Sequence, residues 1–105
     1  MAIIKQDYGT LGGGTINPTL VNEGYTVHGG TTTQPIDINK SYILTISSNA
    51  SADANFMIVF RIVKGVSERL DTAELSQTIS IANGILSFTN PSTSYTRSYA
   101  LTQID

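Results

Sequence analysis

Cysteine and tryptophan are absent from this 105-residue chain, histidine occurs once, and charged residues make up only 13% of it. Without cysteine there is no disulfide scaffold, thiolate zinc site, iron–sulfur cluster or cysteine nucleophile. The charged share is about half that of an average soluble domain. Eight acids against six bases leave a net charge of −2, with an isoelectric point near 5.1. That balance argues against a nucleic-acid or anionic-membrane partner. No run of about 18 apolar residues occurs, so no transmembrane helix is expected.

Hydroxyls replace the missing charge: 14 Thr and 11 Ser account for 25 of the 105 residues. With 40% hydrophobic residues and a mean hydropathy of +0.02, the chain reads as one small globular domain with a single modest core. The opening shows no secretory pattern, because Ile3-Ile4 is followed at once by Lys5, Gln6 and Asp7, where about 7–15 apolar residues would be needed. The composition is nonetheless that of an extracellular β-protein, rich in Thr, Ser, Asn and Gly. Such a protein leaves the cell by another route, of which host lysis is one.

Residues 1–24 read as an arm, or a first strand, with a joint at Gly12-Gly13-Gly14, since three consecutive glycines lose much entropy on ordering. Ile3, Ile4, Tyr8 and Leu11 have no obvious place in the strand pattern that follows, and suit addition to a neighbouring subunit. Residues 25–105 read as a β-domain. Tyr25 to His28 is a short run. Thr32 to Asn39 alternates around Ile36 and Ile38, with Pro35 marking an edge strand. Lys40 to Ser48 places Tyr42, Leu44 and Ile46 on one face. Phe56 to Val63 has Phe56, Ile58, Phe60 and Ile62 on one face and Met57, Val59 and Val63 on the other, as expected of a central strand covered on both sides. Arg61 interrupts that second face and needs a carboxylate or a rim position.

Lys64 to Leu70 reads as a turn region, and Asp71-Thr72-Ala73-Glu74 has the form of a capping box. Asn83-Gly84 between alternating runs predicts a two-residue type I′ hairpin. Its register pairs Ala82 with Ile85, Ile81 with Leu86, Ser80 with Ser87 and Ile79 with Phe88, which puts every large apolar residue on one face. Ser94 to Ile104 supplies the last strand. With about seven or eight short strands and turn signals between them, the fold class is all-β: an antiparallel sandwich or jelly roll.

Candidate chemistry is sparse. His28 beside Gly29-Gly30 reads as a turn-flanking residue, and no orienting acid marks it as a catalytic base. The acids Glu68, Asp71 and Glu74 cluster locally, and Asp37-Ile38-Asn39 lacks the ligand spacing of a calcium loop. The glycine tract lacks the strand, helix and Lys-Ser/Thr of a phosphate loop. No catalytic residue, metal site or cofactor is therefore expected. Tyr95, Arg97 and Tyr99 share one face of the last strand and are the candidate binding stripe for a glycan or a protein partner, the competing reading being ordinary core packing.

The opening Met1-Ala2-Ile3-Ile4-Lys5-Gln6-Asp7-Tyr8-Gly9, the glycine tract, and the closing Leu86-Ser87-Phe88-Thr89-Asn90 and Tyr99-Ala100-Leu101-Thr102-Gln103-Ile104 resemble small structural proteins encoded in prophages of gut Firmicutes. The resemblance covers the two ends more than the middle and carries no active-site residues. It implies a virion-associated protein, a tail component or capsid decoration, made in the bacterial cytoplasm and released by lysis. Its partners would be copies of itself and other virion proteins. The alternative is a carbohydrate-binding module that attaches to a cell-surface glycan.

Overall fold

The computed structural model describes residues 18–48, 56–72 and 76–105, and the backbone of 10–11 and 14–15. Among these residues the chain is all-β, in ten strands: β1 (Thr10–Leu11), β2 (Gly14–Thr15), β3 (Thr19–Thr26), β4 (Thr31–Pro35), β5 (Ser41–Ser48), β6 (Phe56–Val63), β7 (Val66–Arg69), β8 (Ile79–Ala82), β9 (Ile85–Thr89) and β10 (Arg97–Gln103). Two antiparallel sheets form a β-sandwich, one in the order β3-β10-β5-β6-β7 and the other in the order β4-β9-β8. Among the described residues, β1 and β2 pair with each other and not with either sheet. β3 against β10 and β4 against β9 give the wrap of a jelly roll, whereas β5, β6 and β7 run as a meander within one sheet.

The core lies between the sheets. Tyr42, Leu44 and Ile46 of β5, Ile58, Phe60 and Ile62 of β6 and Leu101 of β10 face Leu86 and Phe88 of β9. Alternation dictates this, because successive side chains of a strand point to opposite faces and, among the described residues, one face of each sheet is covered by the other sheet. Tyr42 is buried but keeps its phenol satisfied: the hydroxyl accepts the Asp37 N–H at 2.8 Å. Phe88 and Tyr99 meet edge to face across the core, ring centres 5.2 Å apart, a favoured aromatic geometry.

The Asn83-Gly84 hairpin has the expected register at all four pairs, from Ala82↔Ile85 to Ile79↔Phe88. Both turn residues have positive φ, 54° and 74°, as a type I′ turn requires. Lys64-Gly65 makes a second turn of the same kind, with φ of 50° and 77° between the paired Val63 and Val66. Its sequence carries the glycine but no asparagine, so the signal is weaker there. Gly84→Val puts a β-branched residue at φ +74°, and is expected to cost about 1–2 kcal/mol, measured as a fall in the urea midpoint with an unchanged slope.

Several boundaries differ from the sequence pattern. β3 runs from Thr19 to Thr26, so the sandwich takes in residues 19–24, which the pattern assigned to the arm. An edge strand with one face in solvent needs no clean alternation, and a bulge between Leu101 and Thr102 shifts its register against β10. β4 stops at Pro35 instead of continuing to Asn39. The N–H of Ile36 still donates to Gly84 O, then Lys40 N donates to Asp37 O and Asn39 N to the Asp37 carboxylate, closing a turn. Ile38 is accordingly exposed. Pro35 does lie on an edge strand, as its missing N–H predicts. β6 is an interior strand, but its second face is not covered: Met57 is 58% exposed and Val63 41%. The capping-box residues Ala73 and Glu74 lie outside the described residues. Asp71 instead accepts the Val59 N–H and two guanidinium N–H groups of Arg69.

Candidate functional site

Among the described residues, the outer face of the five-stranded sheet has no element packed on it. Strand register builds it row by row. One row across the sheet is Tyr25, Ser98, Ser47 and Met57; the next is Glu23, Ala100, Thr45 and Val59. Large side chains stand on the flanking strands β3 and β6, and small ones fill β10 and β5 between them. Tyr25 is 76% exposed. The Oγ atoms of Ser47 and Ser98 lie 2.9 Å apart and share one hydrogen bond. The resulting trough of about 420 Å³ is lined by Glu23, Tyr25, Thr45, Ser47, Ser98 and Ala100, with Gly24 and Tyr99 at its base.

Charge on this face is low. Arg61 finds its carboxylate on the neighbouring strand, where Glu68 sits opposite it and pairs with it. Glu23 is the other outward acid among the described strand residues. Leu20, Val63 and Val66 extend the apolar surface toward its margins, each of them exposed.

The stripe expected at Tyr95, Arg97 and Tyr99 is turned the other way. Arg97 and Tyr99 share one face of β10, which is directed into the sandwich, while Tyr95 lies outside that strand. Arg97 is 5% exposed, with its guanidinium 4.6 Å from the centre of the Phe56 ring, donating to Ser76 O and Gln77 Oε1. Tyr99 packs against Phe88, and its hydroxyl lies 3.4 Å from Asn22 Nδ2. Tyr95 is half-buried in the loop before β10, its N–H held by Ser92 Oγ. Among the described residues, the aromatic that stands on an open face is Tyr25, at the start of a run too short to reveal its face from sequence.

Ile3, Ile4 and Tyr8 lie outside the described residues, and Leu11 falls in β1, of which only the backbone is described. His28 is an exposed turn residue between β3 and β4. Glu68 and Asp71 are engaged with Arg61 and Arg69, and Glu74 lies outside the described residues. Among the described residues, no three His, Asp or Glu side chains converge as metal ligands would. A second hollow, about 560 Å³, lies at the end of the sandwich between Ile36-Asp37-Ile38 and the two tight turns. Its one carboxylate, Asp37, is already engaged by Asn39 N.

No protein family matches this chain, and neither a curated protein nor a solved structure does. The fold and the bare face define the class: a small antiparallel β-sandwich with an exposed, nearly uncharged sheet surface.

Proposed function

We infer that the chain is a non-enzymatic structural subunit of a phage or prophage virion, a tail component or capsid decoration, acting as a homo-oligomer among other virion proteins. The observation that supports this reading is the outer sheet face, where Leu20, Tyr25, Met57, Val63 and Val66 are exposed together around a single ion pair. Several large apolar side chains exposed on one sheet face suit an interaction site. The strand at its edge, β3, is eight residues long, contains no proline and has one charge, so that, one bulge against β10 apart, it has few of the devices that keep sheet edges from pairing. The resemblance at the chain ends supplies the virion part of the reading. Mass spectrometry of purified particles from an induced lysogen tests it: the chain is expected at fixed stoichiometry, and its absence from particles overturns the reading.

The N-terminal segment enters this function as an attachment arm. Deleting residues 1–14 leaves β3 whole, since β3 begins at Thr19. The truncated chain is expected to keep its melting temperature and lose particle incorporation. If it unfolds instead, residues 3–8 belong to its own sandwich and the attachment role fails.

A carbohydrate-binding role has one specific observation in its favour. The exposed Tyr25 ring stands beside a trough lined by hydroxyls and the Glu23 carboxylate, groups that suit the apolar face and the hydroxyls of a sugar. A glycan array on the wild type and on Tyr25→Ala tests this reading, with binding lost in the variant.

A further inference from the structure

Resting on the assembly reading above, we propose that the outer face of the five-stranded sheet pairs with the same face of a second copy of this chain, about a two-fold axis running over β5. The relief of the face carries this assignment. Met57 rises from β6, 58% exposed, directly across the sheet from Ser47 and Ser98, which line the trough on β5 and β10. Sheets packed face to face lie about 10 Å apart, close enough that their side chains must interdigitate. A ridge therefore needs a groove opposite it. A two-fold axis presents the same patch twice. Placed over β5, between trough and ridge, it lowers Met57 of each copy into the trough of the other. One face thus supplies both halves of the fit.

Charge and size agree with a second copy as the occupant. Arg61 and Glu68 neutralise each other within one chain. Glu23 lies on the edge strand, farthest from the axis, so it falls at the rim of the contact and stays in water, where interface charges belong. Five strands about 4.8 Å apart and up to about 26 Å long cover roughly 600 Å² in projection. That approaches the roughly 800 Å² of accessible surface per partner in a stable complex, and fits association in the micromolar range.

Sedimentation equilibrium of the full chain across the micromolar range tests the pairing. The wild type is expected to dimerise. Ala100→Arg, which fills the trough with a charged side chain, and Met57→Lys, which charges the ridge, are each expected to raise the dimer dissociation constant at least about tenfold. Both side chains point away from the core, so the melting temperature should hold. Because the chain has no cysteine, a Met57→Cys/Ser98→Cys double variant gives an independent readout. Oxidation should link two copies, and lack of a linked dimer overturns the pairing even if either charged variant fails to fold. A wild type that stays monomeric at high micromolar concentration overturns both the pairing and the assembly reading. An oligomer unaffected by either charged variant overturns the pairing alone. A monomer that binds glycans through Tyr25 overturns it in favour of a sugar site.

Discussion

Phe60→Ala is expected to destabilise the domain by about 3–5 kcal/mol, the range for truncating a buried aromatic. Phe60 sits mid-strand on β6, opposite Leu44 of β5 and Arg69 of β7, with 5% of its surface exposed. The core is thin, with nine buried apolar side chains among the described residues, so the strands around it have few alternative contacts with which to close the cavity. Total stability in a domain of this size is only about 5–15 kcal/mol. The melting temperature should fall by more than about 10 °C. Met57→Ala, three residues earlier on the opposite face of the same strand, should change stability by less than about 1 kcal/mol. Equal effects from the two would mean that the two faces of β6 are wrongly assigned.

Asn90→Leu should be nearly as damaging, for a polar reason. Asn90 is 1% exposed. Its side-chain amide donates to Thr26 O at 2.9 Å and to Tyr95 O at 2.8 Å, and its Oδ1 accepts the Ser92 N–H at 2.9 Å. Its backbone is tied as well: Asn90 N donates to Gly30 O, and Gly29 N to Asn90 O. One side chain thus joins the end of β3 to the loop that carries the chain from one sheet to the other. Leucine keeps the branched heavy-atom skeleton with somewhat more bulk and removes all three side-chain bonds, leaving buried peptide groups short of partners. At about 1 kcal/mol for each bond plus the desolvation of the orphaned groups, the loss is about 3–4 kcal/mol. Asn90→Asp retains the acceptor for Ser92 but loses both donated bonds and sets a carboxylate against the carbonyls of Thr26 and Tyr95, so urea denaturation should show it restoring little of the stability lost in Asn90→Leu. A stability change below about 1 kcal/mol in Asn90→Leu would show that the network does not hold the crossing in place.

The strongest elements of the fold were legible locally. Asn83-Gly84 selects a turn through the positive φ that these two residues tolerate, and the alternating apolar residues on either side then permit one register. β5 and β6 announce themselves by the same alternation, because their inner faces must be apolar to form a core at all. The all-β class follows from these patterns without any knowledge of the tertiary arrangement.

Which face of each strand meets the second sheet is a different kind of fact. Alternation states that two faces exist; only packing chooses between them. Met57, Val59 and Val63 therefore look buried in sequence and are left uncovered or half-covered, because the three-stranded sheet lies on one side of β6 only. Arg97 and Tyr99 share a face as their spacing requires, but β10 turns that face inward, Arg97 settles against Phe56, and Tyr95 falls in the loop before the strand. β3 escaped recognition because an edge strand draws its stability from hydrogen bonds to β10, which place little demand on side-chain identity. The trough on the outer face is similarly invisible in the chain. Its lining joins residues about fifty positions apart, Ser47 and Ser98, with Tyr25 and Glu23 of β3. Their neighbourhood is created by the order β3-β10-β5-β6, a consequence of the whole sandwich closing rather than of any one segment.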